Sequence, residues 1–453
     1  MTARESWGSR LGFIFAAAGS AIGLANIWRF PFLVGAHGGS AFICIYLLCL
    51  FLIGFPVFIS EIIIGRAGRS SPADSFERLG NSSWWRKAGM LTIITGFIVS
   101  AFYSAVAGWI LGYLVEAIRG HLVAFNSAEQ AASHYEGLIH HPYWALIYHA
   151  LFLAASLFVL YFGVRGGIER GNKILMPLLF IVLTILAVQG LRMDGGWKGL
   201  HFITSPDWSQ LTPMAFLIAM GQAFFTLSVG QGTLVTYGSY IKERENLIQS
   251  SWPVIAMDTL ASLLSAIIVF SIVFSAGITL QSGPGLIFHT LPIAFGQISG
   301  GYLISVLFFL AVVLAALTSE ISALEPSVAY LVDSRGWSRH HAVMAVGLGA
   351  FLLGVPCALS TSALREVTIQ GHSILDLMSM LASSILIPFG ALFAVVLVGW
   401  RWGIQRGMAQ LEQGAEELFE KHPLLLWYFK TCIRYVAPLL ILVVFVGTLM
   451  AVI

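Results

Sequence analysis

Long apolar segments constrain this chain more than any other feature of its sequence. A helix needs about 20 mostly apolar residues to cross the hydrocarbon core of a bilayer. Only 10% of the 453 residues are charged, whereas a soluble domain carries about 25%. The sequence therefore predicts an all-α integral membrane protein with 11 transmembrane helices. The predicted spans cover residues 11–35, 40–65, 88–118, 143–163, 174–191, 212–238, 251–280, 300–332, 341–358, 373–400 and 424–451.

Lys and Arg lie mostly on one side of the predicted bilayer. With the N-terminus inside, 19 of the 24 basic residues fall on the inner side and 5 on the outer side. Cytoplasmic loops carry an excess of Lys and Arg, so we expect a multi-pass plasma-membrane protein with a cytoplasmic N-terminus and an external C-terminus. Short termini and the lack of a twelfth span suggest a prokaryotic source. A signal peptide is the alternative for the N-terminal run, although that run continues past the supposed cleavage site.

Two predicted spans are interrupted by glycine and polar residues, at "GSAIGLAN" in span 1 and at "FFTLSVGQG" in span 6. The breaks lie near residues 23 and 229, roughly half of a ten-span unit apart. Unwound backbone cannot face lipid, so it must line a cavity inside the protein. Paired breaks in two halves indicate a carrier built from inverted repeats, with its site at the midplane. The alternative is that these glycines only allow close helix packing.

Each break exposes two kinds of backbone group. The N-termini of half-helices offer N–H groups to an anion such as a carboxylate, and the freed carbonyls offer oxygen ligands to a small cation. A zwitterionic substrate together with a metal ion fits this pairing.

Three extended motifs carry a resemblance to a known family. The opening "RLGFIFAAAGSAIGLANIWRFPFLVGAHGGSAF", "GQAFFTLSVGQGTLVTYGSY" in span 6 and "AALTSEISALEPSVAYLVD" in span 8 resemble the neurotransmitter:sodium symporters, the LeuT-type transporters. The resemblance runs from Arg4 through span 10. It implies a LeuT-type fold with a 5+5 inverted repeat, in which helices 1 and 6 are unwound at the midplane. The implied parts are an N-terminal gate segment (1–10), two repeats (11–192 and 193–400), and a cytoplasmic loop with helix 11 (401–453).

The resemblance also implies two sodium sites. The second would use backbone oxygens of Gly19, Ile22 and Ala315 with the hydroxyls of Thr318 and Ser319. Adjacent Thr and Ser on a helix could instead bond to the preceding turn. The first would use the Ala21 carbonyl, the Asn26 side chain, the carbonyl and hydroxyl of Thr226, the substrate carboxylate and Asp258.

Asp258 departs from the family pattern, which generally has asparagine at this position. Chloride-dependent relatives hold the anion near positions that match Tyr46, Gln222, Thr226, Asp258 and Ser262. An ionised aspartate there would repel chloride, so we expect transport without chloride. The alternative is that Asp258 is protonated and hydrogen-bonded.

The implied substrate is an α-amino acid. Amine-transporting relatives carry an aspartate in helix 1, but residues 23–25 include none, so the ligand should bring its own carboxylate. That carboxylate would meet the span 1 backbone and the Tyr103 hydroxyl. The expected pocket is mostly apolar and should favour hydrophobic L-amino acids, aromatic ones included. Its expected residues are Ala21, Leu24, Ala25, Val99, Tyr103, Phe225, Thr226, Ser228, Ser319 and Ala323.

Gate residues follow from the same resemblance. Arg29 matches the outer-gate arginine, but its usual aspartate partner appears as Ser379, with Asp376 nearby, and Phe225 matches the aromatic lid. On the inner side, Arg4 and Trp7 pair with Asp333, near Tyr240.

Three further residues of interest lie within the predicted spans. Glu61 is expected to hold the unwound backbones, and Pro177 to weaken the inner end of span 5. Glu320 receives no role.

The sequence thus predicts a sodium-coupled symporter, not an enzyme, that works in the bilayer without a nucleic-acid partner. Nothing in it indicates an oligomeric state. One alternative is a carrier of another small zwitterion or osmolyte, such as betaine or a γ-amino acid. The others are a channel gated by an amino acid and a membrane enzyme that uses loop histidines. Those histidines, His134, His140 and His141, match no helical metal motif.

Overall fold

The computed structural model describes residues 5–125, 127–277 and 286–452, and every regular element within them is a helix. Nine helices in these ranges are long and apolar enough to cross a membrane, and one bent pair makes ten. The bent pair is Arg10–Ala21 with Ala25–Ala36. The nine are Ser40–Gly68, Ser83–Ile118, Pro142–Tyr161, Val164–Arg192, Leu247–Ala276, Gly301–Arg335, Arg339–Leu359, Ile374–Arg401 and Pro423–Thr448.

The remaining predicted span is a pair of short helices, Pro213–Thr226 and Thr233–Ser239. We number the spans in chain order, so the bent pair is span 1, this short pair is span 6, and Pro423–Thr448 is span 11. Span 5 begins at Val164, ten residues before the predicted start, because the helix continues through several charged residues at its inner end. Shorter helices connect the spans: Pro72–Gly80, His121–Val123, Ala128–Ile139, Gly196–Thr204, Trp208–Gln210, Leu286–Gln297, Ile404–Glu412 and Glu416–Lys421.

Wide π-helical turns occur in several helices, and five of them end two residues before a proline. Proline has no N–H to donate, and its ring clashes with the carbonyl one turn earlier. A single wide turn moves that carbonyl aside and lets the helix continue. The five turns are Ala25–Arg29, Leu50–Gly54, Leu286–Thr290, Leu381–Leu386 and Cys432–Val436.

The spans differ in how much of their surface the protein covers. The most apolar window of span 3 is 67% buried, whereas that of span 4 is 33% buried. Large apolar side chains stay exposed on the peripheral spans, as expected for surfaces that contact lipid. Examples are Ile147, Phe158, Leu348, Leu352 and Leu439.

Both predicted breaks are present. The first half-helix of span 1 ends at Ala21, the Ile22 backbone is extended, and the two half-helices are bent by 54° relative to each other. In span 6, residues 227–232 are not helical, and Ser228 (φ 52°) and Gly230 (φ 77°) are left-handed. A Cβ on Gly230 would lie 2.2 Å from the carbonyl oxygen of Ile387 in span 10, so this position requires glycine.

Glu61 supports the span 6 break. Its side chain is buried, and one carboxylate oxygen accepts a hydrogen bond from the Gly230 N–H at 2.6 Å. A backbone donor that left its helix at mid-depth thereby regains a partner inside the protein.

Candidate substrate and ion site

A cavity lies between the two breaks, lined by residues of spans 1, 3, 6 and 8. The structure brings nine of the ten predicted substrate residues to its wall, and Thr226 lies outside it. Three further residues contribute to the wall. The lining residues are Ser20, Ala21, Gly23, Leu24, Ala25, Val99, Tyr103, Phe225, Ser228, Gln231, Ser319 and Ala323.

Hydroxyl groups from other spans meet the freed backbone of span 1. The Tyr103 hydroxyl oxygen accepts a hydrogen bond from the Leu24 N–H at 3.2 Å. Its own hydrogen is therefore available to a further acceptor. The Ser228 hydroxyl donates to the Ser20 carbonyl at 2.7 Å, which joins the two breaks directly.

The outer side of the cavity is bounded by Phe225. The Arg29 guanidinium lies 5.7 Å from the centre of this ring, a cation–π contact. Arg29 takes part in no ion pair within the described ranges. Asp376, near its expected partner position, instead caps its own helix through Ser373.

An oxygen-rich cluster surrounds Asn26 at the inner edge of spans 1, 6 and 7. The Asn26 Nδ2 atom lies 2.9 Å from Thr226 Oγ1, 2.7 Å from Asp258 Oδ1 and 2.8 Å from Ser262 Oγ. An amide nitrogen carries two hydrogens, so it cannot satisfy all three oxygens. The cluster therefore holds more acceptors than its amide can serve.

The Asp258 carboxylate is fully buried and faces the residues expected around an anion. One of its oxygens accepts from the Thr226 hydroxyl at 2.7 Å, and the other accepts from the Tyr46 hydroxyl at 3.1 Å. Gln222 turns instead to the Ala25 carbonyl, to which it donates at 3.2 Å. A protein carboxylate therefore occupies the hydroxyl-lined position.

A second oxygen cluster lies between spans 1 and 8. The Ser319 hydroxyl is 3.1–3.2 Å from three carbonyl oxygens, those of Gly19, Ser20 and Ile22. One hydroxyl hydrogen serves one strong acceptor, so these carbonyls converge beyond what Ser319 can satisfy. Thr318 also bonds to its own helix, at 3.0 Å from the Ala315 carbonyl.

The N-terminal segment packs against the C-terminal end of span 6. The Trp7 ring is buried, and its indole N–H donates a hydrogen bond to the Tyr237 carbonyl at 3.0 Å. The backbone N–H of Trp7 donates to the Tyr240 carbonyl at 3.1 Å. Arg4 lies outside the described residues, so its predicted pairing stays a prediction. Asp333 lies in the last turn of span 8.

Sequence reasoning missed two acidic residues at this end. Glu325 is fully buried; it accepts from the Tyr240 hydroxyl at 2.8 Å and pairs with Arg339 at 2.7 Å. Glu169 in span 5 accepts from the Gly8 N–H at 2.7 Å and from the Ser9 hydroxyl at 2.9 Å. An acidic residue inside an apolar span was the available signal for Glu325.

Two other ionisable residues singled out in the sequence, Glu320 and His134, each lie beside a polar side chain. The Glu320 carboxylate accepts from the Ser100 hydroxyl in span 3. His134 lies 3.5 Å from Glu116. Among residues 5–125, 127–277 and 286–452, no three His, Cys, Asp or Glu side chains are grouped as metal ligands.

Two helix breaks on opposite sides of one cavity, each beside a cluster of oxygen atoms, are typical of a transporter with broken helices. The chain belongs to the Sodium:neurotransmitter symporter family, whose profile matches residues 4–136 and 137–453. It is 34% identical to the uncharacterized sodium-dependent transporter YhdH of Bacillus subtilis, over 97% of each chain. It is 32% identical to an uncharacterized sodium-dependent transporter of Haemophilus influenzae, over 98% of each chain.

A solved structure shares the fold. The crystal structure of MhsT in complex with L-phenylalanine superposes with a TM-score of 0.88 at 40% identity, covering 98% of this chain and 100% of that one. The predicted family and the LeuT-type fold are thus confirmed, and the protein is a sodium-dependent membrane transporter.

The buried Glu325–Arg339 pair generates a stability prediction. Arg339→Ala would leave a fully buried carboxylate without its cation, which typically costs about 3–5 kcal/mol. We expect a clearly lower melting temperature in detergent, measured by intrinsic fluorescence. Lys421→Ala is the matched control, because its pair with Glu417 spans 3.9 Å at the exposed surface and should contribute little. Equal melting temperatures for both variants would contradict the assignment.

Proposed function

We propose that this protein is a symporter that couples sodium to the import of hydrophobic L-amino acids, aliphatic and aromatic, without chloride. The observation that carries the proposal is the composition of the cavity: backbone groups of both breaks at one end, apolar side chains around the rest, and no charged side chain in the lining. MhsT, which shares the fold, was crystallised with L-phenylalanine.

The substrate carboxylate would bind at the span 1 break. Tyr103 supports this role because its oxygen already accepts from Leu24, which directs its hydrogen to another acceptor. Residues 22–24 lie at the positive, N-terminal end of the second half-helix, where the Gly23 and Leu24 N–H groups donate to Asn26 Oδ1 and to the Tyr103 oxygen. The amino group would meet carbonyls near Ala21, Phe225 and Thr226.

The substrate side chain would contact the apolar wall. Val99, Phe225 and Ala323 provide apolar surface, and the small Ala323 leaves room for an aromatic ring. Ser228 and Gln231 add some polar capacity. Because each methylene changes discrimination by only about 1–3 kcal/mol, we expect several hydrophobic amino acids to be accepted.

Two sodium ions fit the two oxygen clusters. Ala21, Asn26, Thr226 and Asp258 would hold the first together with the substrate carboxylate, and the surplus acceptors around Asn26 support that set. Gly19, Ile22, Ala315, Thr318 and Ser319 would hold the second, supported by the carbonyls that converge on Ser319. The ions would supply positive charge that balances the carboxylates and links carbonyls freed at the breaks.

The residues around the cavity would then couple binding to closure. Phe225, with Arg29 over its ring, would cover the substrate from outside, while Trp7 and Tyr240 hold the inner end shut. Spans 1, 2, 6 and 7 would rock against the others, a motion that an inverted repeat of residues 11–192 and 193–400 would allow. With a cytoplasmic N-terminus in a plasma membrane, each sodium charge gains about 2.3 kcal/mol per 100 mV.

Uptake into proteoliposomes tests the proposed function. Labelled tryptophan and leucine should accumulate under an inward sodium gradient and not under a potassium gradient, in chloride-free buffer. Unlabelled betaine and γ-aminobutyrate should compete poorly. Sodium-driven accumulation of betaine with exclusion of both amino acids would instead favour the osmolyte carrier.

Asp258→Asn tests the basis of chloride independence. Wild-type uptake should be unchanged when gluconate replaces chloride. In gluconate, the uptake rate of the variant should be lower than that of the wild type by about tenfold or more, because a buried cation site has lost its fixed charge. The uptake rate should recover when chloride is present. Asp258→Asn with Ser262→Glu restores a carboxylate one helical turn away and should again work without chloride. Wild-type transport that requires chloride would refute the assignment.

A further inference from the structure

Asn172 in span 5 is a buried polar residue with only half of its amide in use. The side chain is fully buried, and its Nδ2 donates to the Ile168 carbonyl at 2.9 Å. Its Oδ1 has no hydrogen-bond partner among the described residues. A buried acceptor left unpaired costs about 1–3 kcal/mol, so this oxygen calls for a ligand.

The unpaired oxygen faces the second oxygen cluster. A Cβ placed on Gly19 would lie 2.1 Å from Asn172 Oδ1 and 3.0 Å from Thr318 Cβ. The side chains of Asn172 and Thr318 therefore both lie against the backbone of Gly19, which has no side chain to separate them. Gly19 and Thr318 both belong to the proposed second sodium site.

The orientation of the amide is defined by its other contact. Turning the amide over would place its oxygen against the Ile168 carbonyl, where two acceptors would face each other. Keeping the Nδ2 bond to Ile168 requires that the oxygen faces Gly19.

We propose that Asn172 Oδ1 is a further ligand of the second sodium ion. The inference rests on the proposed sodium site and adds a ligand from a third span. Hard cations are bound by carboxylate, carbonyl and amide oxygens, and a neutral amide adds an oxygen without adding a charge. Spans 1, 5 and 8 would then be joined through one ion.

The position of Asn172 gives this ligand a consequence for ion release. It lies five residues after Gly167 and five before Pro177, two residue types that destabilise a helix interior. One turn earlier, Glu169 binds the start of span 1 through Gly8 and Ser9. An ion held by Asn172 stabilises this inner half of span 5 against span 1, so loosening of span 5 would remove a ligand and favour release inward.

Sodium binding in the absence of substrate tests the proposal without relying on transport. The probe is the sodium-dependent rise in melting temperature of the purified full chain, with choline keeping the ionic strength constant. Asn172→Leu keeps the approximate size but removes the oxygen, and Asn172→Asp keeps an oxygen but removes the Nδ2–H donor. We expect Asn172→Leu to raise the half-maximal sodium concentration by about tenfold or more relative to the wild type. For Asn172→Asp we expect a half-maximal sodium concentration equal to or below that of the wild type.

Three outcomes would separate the possibilities. If Asn172→Leu shows the same sodium dependence as the wild type, the inference is overturned. Oδ1 of the wild-type Asn172 then has only a Cα–H contact with Gly19. Equal weakening by Leu and Asp also overturns it, because the bond to Ile168 is then what matters. Thr318→Val is the control for the site itself: if it leaves sodium dependence unchanged, the proposed second site fails, whatever Asn172 does. Should the Leu variant not fold, the comparison of Asp with wild type decides.

Discussion

Backbone groups that leave a helix at the middle of a membrane must find partners inside the protein, since lipid offers none. The rest of this structure depends on that requirement. The Gly230 N–H is taken by Glu61, the Leu24 N–H by Tyr103, and the Ser20 carbonyl by Ser228. These partners come from two other spans and from the opposite break. The site and the fold are therefore stabilised by the same contacts.

The two oxygen clusters differ in whether they contain an ionisable side chain. The one around Asn26 contains the Asp258 carboxyl group, whose ionised form could be balanced by a cation and by the hydroxyl donors of Thr226 and Tyr46. The one between spans 1 and 8 consists of neutral carbonyls and hydroxyls, and needs no buried counter-charge around a monovalent ion. Asn172 extends this second, neutral set with another uncharged oxygen. In both clusters several oxygen atoms converge on one side-chain donor group, which is the Asn26 amide in the first and the Ser319 hydroxyl in the second.

Hydropathy and local composition were sufficient to predict the class of protein, the spans and both breaks. Apolar length reports on bilayer crossing directly, and glycine beside polar residues marks a helix that cannot continue. The family motifs added the pocket, where nine of ten expected residues meet. The start of span 5 was placed ten residues late, because charged residues at a helix end look like loop in a hydropathy profile.

Contacts between residues far apart in sequence were not predictable in the same way. Glu325 with Arg339, Glu169 with Gly8, and Asn172 against Gly19 each join separate elements of the chain, and no local pattern records such pairs. The contact of Arg29 with Phe225 joins spans 1 and 6 in the same way. In each case packing of the whole bundle decides which side chains meet.

The central claim is that one sodium ion and the substrate carboxylate share a site at the two breaks. The most direct test measures the dissociation constant of L-phenylalanine against sodium concentration by calorimetry, alongside L-phenylalaninamide, which lacks the carboxylate. Reciprocal coupling predicts that sodium strengthens binding of the amino acid steeply and has little effect on the amide. Equal sodium dependence for both ligands, or none for the amino acid, would contradict the account.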